Sequence, residues 1–195
     1  MKGINRFVFV IGLAIPLVPV LAFYSGDYYH TVALTPLLGI PVLDYLIGPR
    51  YSRPDAAQTS RLEQENYFRL IPILYVPLQL AVQIWGAWMA CRPEVPAEIR
   101  IAICLGIGYA SGAIGITAAH ELGHKKSPAE RTLSKILLLS VCYGHFYIEH
   151  NRGHHVRVGT RDDPATARRD EDVYLFVARG HRLLAACVGA GILAP

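Results

Sequence analysis

The chain has 195 residues, 52% hydrophobic and only 17% charged, with a mean hydropathy of +0.29. Soluble domains average about 25% charged residues; disorder needs low hydrophobicity and high charge and is excluded, while apolar residues gathered into long runs point to a membrane protein of one domain or part of one. The net charge is +4, but the basic residues sit between apolar runs, which suits a cytoplasmic membrane face and excludes a nucleic-acid groove.

In chain order, Phe7–Tyr24 carries no charge over 18 residues and is just long enough to cross ~30 Å of hydrocarbon as a helix. Its basic start and small residues near its end also suit a signal peptide, but further apolar spans follow at once. His30–Gly48, broken only by Asp44, is a second predicted span. Leu70–Ala90, with no charge, is a third, and Ile99–Ala119, with Arg100 at its edge, is a fourth. The prolines within these spans are tolerated in membrane helices. Gly108-x-x-x-Gly112, with Gly115 and Ala119 nearby, offers a small-residue face for close helix packing. Lys and Arg gather before the first span, between the second and third, and after the fourth. This places the N-terminus and everything after the fourth span on the cytoplasmic side of the plasma or inner membrane.

Thr132–Ile148 is moderately apolar, but a spanning helix there would carry His150 some 25–30 Å from His124 at 1.5 Å per residue. If the histidines serve one site, this segment lies along the interface or folds back. The last apolar run starts at Leu183 and stops after 13 residues, too short to span. The expected fold is all-α: a polytopic membrane helix bundle of four complete spans, an interfacial helix and a truncated last span. Residues 1–195 are then read as the N-terminal part of a single integral-membrane domain whose C-terminal part is missing.

Cys91, Cys104, Cys142 and Cys187 form no C-x-x-C pair, so a disulfide framework or a cysteine-held metal is not expected. The histidines carry the chemistry. His120, His124, His150, His154 and His155 fall within 36 residues. His120-Glu121-Leu122-Gly123-His124 puts two imidazoles at i and i+4, on one face of a helix and one turn apart. Glu149-His150-Asn151-Arg152-Gly153-His154-His155 repeats the i, i+4 spacing between His150 and His154. His155 is turned ~100° from His154 on an ideal helix. Five imidazoles exceed the three protein ligands of a catalytic zinc site and suit two ions, with iron, copper or zinc all compatible. Glu121, Glu149, Asp162 and Asp163 are candidates for holding an imidazole N–H. His145, set among aromatics, is a candidate for the same supporting role.

The stretches His120–Lys126, Gly144–His155 and Asp162–Arg168 resemble the membrane-bound alkane hydroxylases of the fatty-acid desaturase and hydroxylase superfamily. Leu43–Gly48 and Tyr75–Gln79 have the same look. The resemblance implies a bundle of six membrane helices with two non-haem iron ions, ligated by histidines, at its cytoplasmic end. It implies O2-dependent insertion of one oxygen atom at the terminal carbon of an alkane, with electrons from a separate rubredoxin-type donor. That family carries a further histidine box and another histidine-bearing motif toward its C-terminus, neither of which occurs in these 195 residues. The second iron would be under-ligated, so the segment alone is expected to be inactive. Two alternatives remain open: a desaturase or other hydroxylase of the same superfamily, and an intramembrane zinc metalloprotease with Glu121 as general base. The latter leaves His150, His154 and His155 without a use.

Overall fold

The computed structural model of the chain describes residues 12–26 and 65–180, together with Val10 and Tyr45. Among the described residues all regular structure is helical and there is no strand. The chain divides into two compact units, Met1–Val141 and Cys142–Pro195.

In the first unit an apolar helix covers Gly12–Ser25. Its last two turns, Val18–Ser25, are α1, entered through a 3-10 turn at Ile15–Leu17 where Pro16 sits. The predicted first span begins earlier, at residues outside the described set, and the predicted second span lies outside it except for Tyr45. Helix α2 runs Asn66–Ala90 and passes through Pro72 and Pro77 without ending. Helix α3 runs Ala97–Gly123. These two contain the third and fourth predicted spans, and both are long and apolar enough to cross a membrane. Leu70, Leu74, Ile84, Trp88, Ile101 and Leu105 on them are at least half exposed. Side chains so placed favour lipid over water.

Helix α3 is interrupted by a π-helical stretch, Ser111–Gly115. Such a stretch disturbs the i→i−4 ladder. One affected carbonyl, Ala110 O, accepts the Tyr75 hydroxyl at 3.1 Å. Gln79 Nε2 donates to Ser140 Oγ at 2.9 Å, and Gln83 Nε2 donates to Ser111 Oγ at 3.2 Å. Gly115 is glycine because a Cβ there would stand 2.0 Å from Gln79 Oε1. The close approaches therefore fall at Gly115 and at Gly86, which faces Ile107. Among the described residues a Cβ at Gly108 or Gly112 would meet no atom within 4 Å, so of the predicted small-residue face it is Gly115 and Ala119 that lie at close approaches.

Helix α4, Pro128–Ser140, buries Glu130, Ser134, Leu137 and Leu138, one stripe at helical spacing. Arg69 forks onto Glu130 with 2.8 and 3.0 Å bonds, and ten residues further along both helices Gln79 meets Ser140. Ser134 Oγ donates to Ala119 O at 2.6 Å. Helix α4 thus folds back beside α3 and runs in the direction of α2. It does not extend over Thr132–Ile148 as one helix: it ends at Ser140, and Cys142 takes a φ of 57°, a left-handed conformation no α-helix continues through.

The hydrogen bonds from Arg69 hold the Glu130 carboxyl below its ordinary pKa against the opposing effect of burial. The Glu130 side chain is 6% exposed and Arg69 is 54% exposed. Arg69→Ala leaves the Glu130 carboxylate without its charged partner and is expected to destabilise the protein. Denaturant unfolding in detergent micelles measures this, and Glu130→Gln in the Arg69→Ala background should recover part of the loss.

In the second unit, three successive helical pieces, Phe146–Ile148, the π-helical Glu149–His154 and His155–Arg157, form α5 over 146–157. Turns over 158–172 lead to α6, over 173–180. Asp172 Oδ1 opens α6 by accepting the N–H groups of Tyr174 and Leu175 at 2.8 and 3.0 Å, an N-cap. The predicted run from Leu183 lies outside the described residues.

Candidate metal centre

His120 and His124 occupy the end of α3, in the first unit. Their Nε2 atoms stand 3.2 Å apart, and the rings meet edge to face at 4.6 Å and 81°. The i, i+4 spacing therefore aims both rings at one point, as predicted.

In the second unit the close nitrogen pair is set at i and i+5, not at the i, i+4 spacing of His150 and His154. His150 meets His155 nitrogen to nitrogen, Nε2 to Nε2 at 3.0 Å, with rings 4.5 Å apart at 80°. His154 instead stacks beside His150 at 5.4 Å and 22°. The cause is the π-helical turn at Glu149–His154. Residues five apart are about 140° apart around an α-helix, but a π turn closes at i+5. Gly153 within this turn leaves room for the Glu149 carboxylate, whose Oε1 would be 2.5 Å from a Cβ at that position.

Each nitrogen pair suits an ion. Two imidazole nitrogens each about 2.0–2.1 Å from one metal, at tetrahedral or octahedral angles, stand about 3.0–3.4 Å apart. Both pairs already have that separation, and neutral imidazoles are the ligands that iron, copper and zinc take. The donor set therefore fits a histidine-held metal.

His154 Nδ1 lies 2.8 Å from Asp163 Oδ2. Burial of Asp163 opposes its charge, yet hydrogen bonds from the Thr166 hydroxyl, the Ala165 N–H and His154 outweigh it and hold the carboxyl below its ordinary pKa. A carboxylate accepts, so the contact is one in which Nδ1 of His154 donates to Asp163, and Nε2 is the ring nitrogen turned away from it. Of the two adjacent aspartates, Asp163 is buried and Asp162 exposed. Glu121 is bonded to Lys125 Nζ at 2.5 Å on the outer face of α3. Glu149 Oε1 is buried without a hydrogen-bond partner among the described residues, and His145 packs edge-on against Tyr143 at 4.6 Å. An apolar cavity of about 220 Å³ lies beside this cluster, lined by Phe146, His150, His154, Pro164, Phe176 and Val177 among others.

Sequence reasoning missed Thr166, Glu171 and Arg179. Arg179 Nε and Nη2 fork onto Glu171 at 2.7 and 2.8 Å. No local motif marks such a pair, because its members come together only when the 158–172 turns close. The fork, with help from the Arg168 N–H, lowers the Glu171 carboxyl from 4.5 to about 2. A carboxyl whose folded pKa is depressed stabilises the fold above its unfolded value and loses that stabilisation as pH falls through the folded value. The contribution is therefore complete above about pH 5 and fades as pH falls from 4.5 toward 2. Amide hydrogen exchange over 163–179 is expected to show weaker protection at pH 3 than at pH 6, and Glu171→Gln should reduce that difference, the remainder belonging to Asp163.

The fatty acid desaturase family profile matches residues 99–192, which include all five clustered histidines. The chain is 33% identical to alkane 1-monooxygenase 1 of Alcanivorax borkumensis over 90% of this chain and 45% of that protein. It is 40% identical to alkane 1-monooxygenase of Ectopseudomonas oleovorans and 38% identical to that of Pseudomonas putida, in each case over 79% of this chain and 38% of the relative. The chain spans less than half the length of these curated relatives.

Proposed function

From the fatty acid desaturase match over residues 99–192 and the similarity to alkane 1-monooxygenases, we propose that the chain is part of a member of that family and that the intact protein hydroxylates the terminal carbon of medium- and long-chain alkanes in a membrane. What carries the reading is the pair of imidazole couples, His120 with His124 and His150 with His155, each already at a metal-chelating nitrogen separation. We propose that both couples, with His154, hold a di-iron centre on the cytoplasmic side.

Iron bound there supplies the O2-dependent oxidation. Alkane, O2, two electrons and two protons give 1-alkanol and water, and the electrons come from a rubredoxin-type protein. The chain's own residues perform the rest. Asp163 accepts a hydrogen bond from His154 Nδ1–H and so leaves Nε2 as the nitrogen that would ligate. The apolar faces of α2 and α3 suit a bilayer, where alkanes concentrate. Holding the alkane chain extended would let position, rather than bond strength, decide which carbon reacts. The basic residues Lys125, Lys126, Arg131 and Lys135 give an acidic electron donor a surface to meet.

The test is direct. The intact protein, supplied with iron, O2, reductant and a rubredoxin-type donor, is expected to convert an n-alkane to the 1-alkanol. Two iron ions per chain by elemental analysis supports the reading. A single zinc with peptide hydrolysis would instead select the metalloprotease, and a double bond in a fatty-acyl chain would select a desaturase.

A further inference from the structure

The carboxylate that orients His154 sits in a run of turns, 158–172, with no regular structure of its own. Something must fix that run if Asp163 is to stay under the imidazole. Thr166 is the junction. Its hydroxyl donates to Asp163 Oδ2 and accepts the Gly159 N–H at 3.0 Å. Its carbonyl accepts Arg179 Nη2 at 2.9 Å. The same guanidinium grips Glu171 through two further bonds, and Glu171 Oε2 accepts the Arg168 N–H at 2.8 Å. The two side chains are only 15% and 10% exposed. One side chain of α6 therefore ties two separate points of the turns, and only a planar fork can do so; a lysine ammonium lacks that geometry.

We infer that Arg179 is a positioning residue for the metal-binding nitrogen of His154, acting through Thr166 and Asp163. The inference rests on the reading that His154 ligates a metal ion. Without Arg179 the Thr166 carbonyl and the Glu171 carboxylate lose their common partner, the turns relax, and the Asp163 carboxylate no longer stands at a fixed place against Nδ1. The imidazole then keeps its nitrogen but loses its aim.

The experiment uses the intact protein stripped of metal and titrated with Co(II), whose visible absorption reports the ligand field of the bound ion. Arg179→Gln is expected to weaken cobalt binding about 10–100-fold, the usual cost of losing a partner that orients a ligand, and to shift the visible band. Arg179→Lys restores charge without the fork and should stay weakened. Asp163→Asn should show a similar loss, and adding Arg179→Gln to it should cost nothing more, because the two act in series. If Arg179→Gln does not fold, Glu171→Gln, which removes one acceptor of the fork, is expected to show the same shift in smaller measure. Cobalt binding with unchanged affinity and band in the folded Arg179→Gln protein, even at lower thermal stability, overturns the inference, as do losses that multiply in the double variant. His154→Ala separates the layers. If it binds cobalt as the native protein does, the assignment of His154 as a ligand fails. If it binds weakly while Arg179→Gln binds normally, only the positioning role fails.

Discussion

His155→Ala is expected to strip the protein of iron and of alkane oxidation together. The argument is geometric. His150 and His155 reach each other only because a π turn closes the helix at i+5, and their Nε2 atoms stand 3.0 Å apart, as two ligands of one ion would. Removing one leaves the other as a single monodentate ligand. Loss of a partner that merely orients a ligand costs about 10–100-fold in affinity, so loss of the ligand itself should exceed about 100-fold. His145→Ala provides the contrast. His145 lies ten residues earlier, packed on Tyr143, and its loss should leave the iron content near native. Elemental analysis of the purified variants, set beside turnover of an n-alkane, reads both effects. Normal iron in His155→Ala would remove His155 from the ligand set.

Gly115→Ala is expected to be the most damaging of the small substitutions in the long apolar helices. The added methyl would meet Gln79 Oε1 at 2.0 Å, Cδ at 2.9 Å and Nε2 at 3.2 Å. Gln79 is 1% exposed and its amide is bonded to Ser140, so it has no open space to swing into. Overpacking costs about 1–3 kcal/mol and the broken hydrogen bond about 1 kcal/mol, a total of about 2–4 kcal/mol. Gly108→Ala, where the methyl meets nothing within 4 Å, should be close to neutral. Unfolding in micelles measures both. Because the clash is with a single side chain, Gln79→Ala in the Gly115→Ala background should recover stability; if it does not, the cost arises elsewhere.

Much of this was legible from sequence, for identifiable reasons. Long uncharged runs specify helices whatever surrounds them, and so Leu70–Ala90 and Ile99–Ala119 fall inside α2 and α3. The His120–His124 pair was legible because an unbroken α-helix fixes what i and i+4 do. The His150 pair was not. The sequence names His150, His154 and His155 together, but the π turn over Glu149–His154 brings His155 rather than His154 nitrogen to nitrogen with His150, and a departure from helical period leaves no trace in residue spacing. The same applies to Ser111–Gly115. Of the small-residue face over 108–119, only Gly115 and Ala119 meet neighbours among the described residues, because glycine spacing states where helices are able to approach, not where they do. Of the supporting carboxylates, Asp163 lies against an imidazole while Glu121 is bonded to Lys125. Which of several acids near a histidine faces it depends on turns that sequence does not fix. The end of α4 at Ser140 turns on the left-handed backbone of Cys142, a conformation that residue type does not announce.

The central claim is that the two histidine couples serve one metal centre. Iron content of the intact protein, compared with His120→Ala/His124→Ala and with His150→Ala/His155→Ala, tests it most directly. If the couples share the centre, each double variant is expected to lose essentially all of its iron. If each double variant instead keeps about half, with the spectrum of the remaining iron unchanged, the couples bind separately and the oxygenase proposal does not survive.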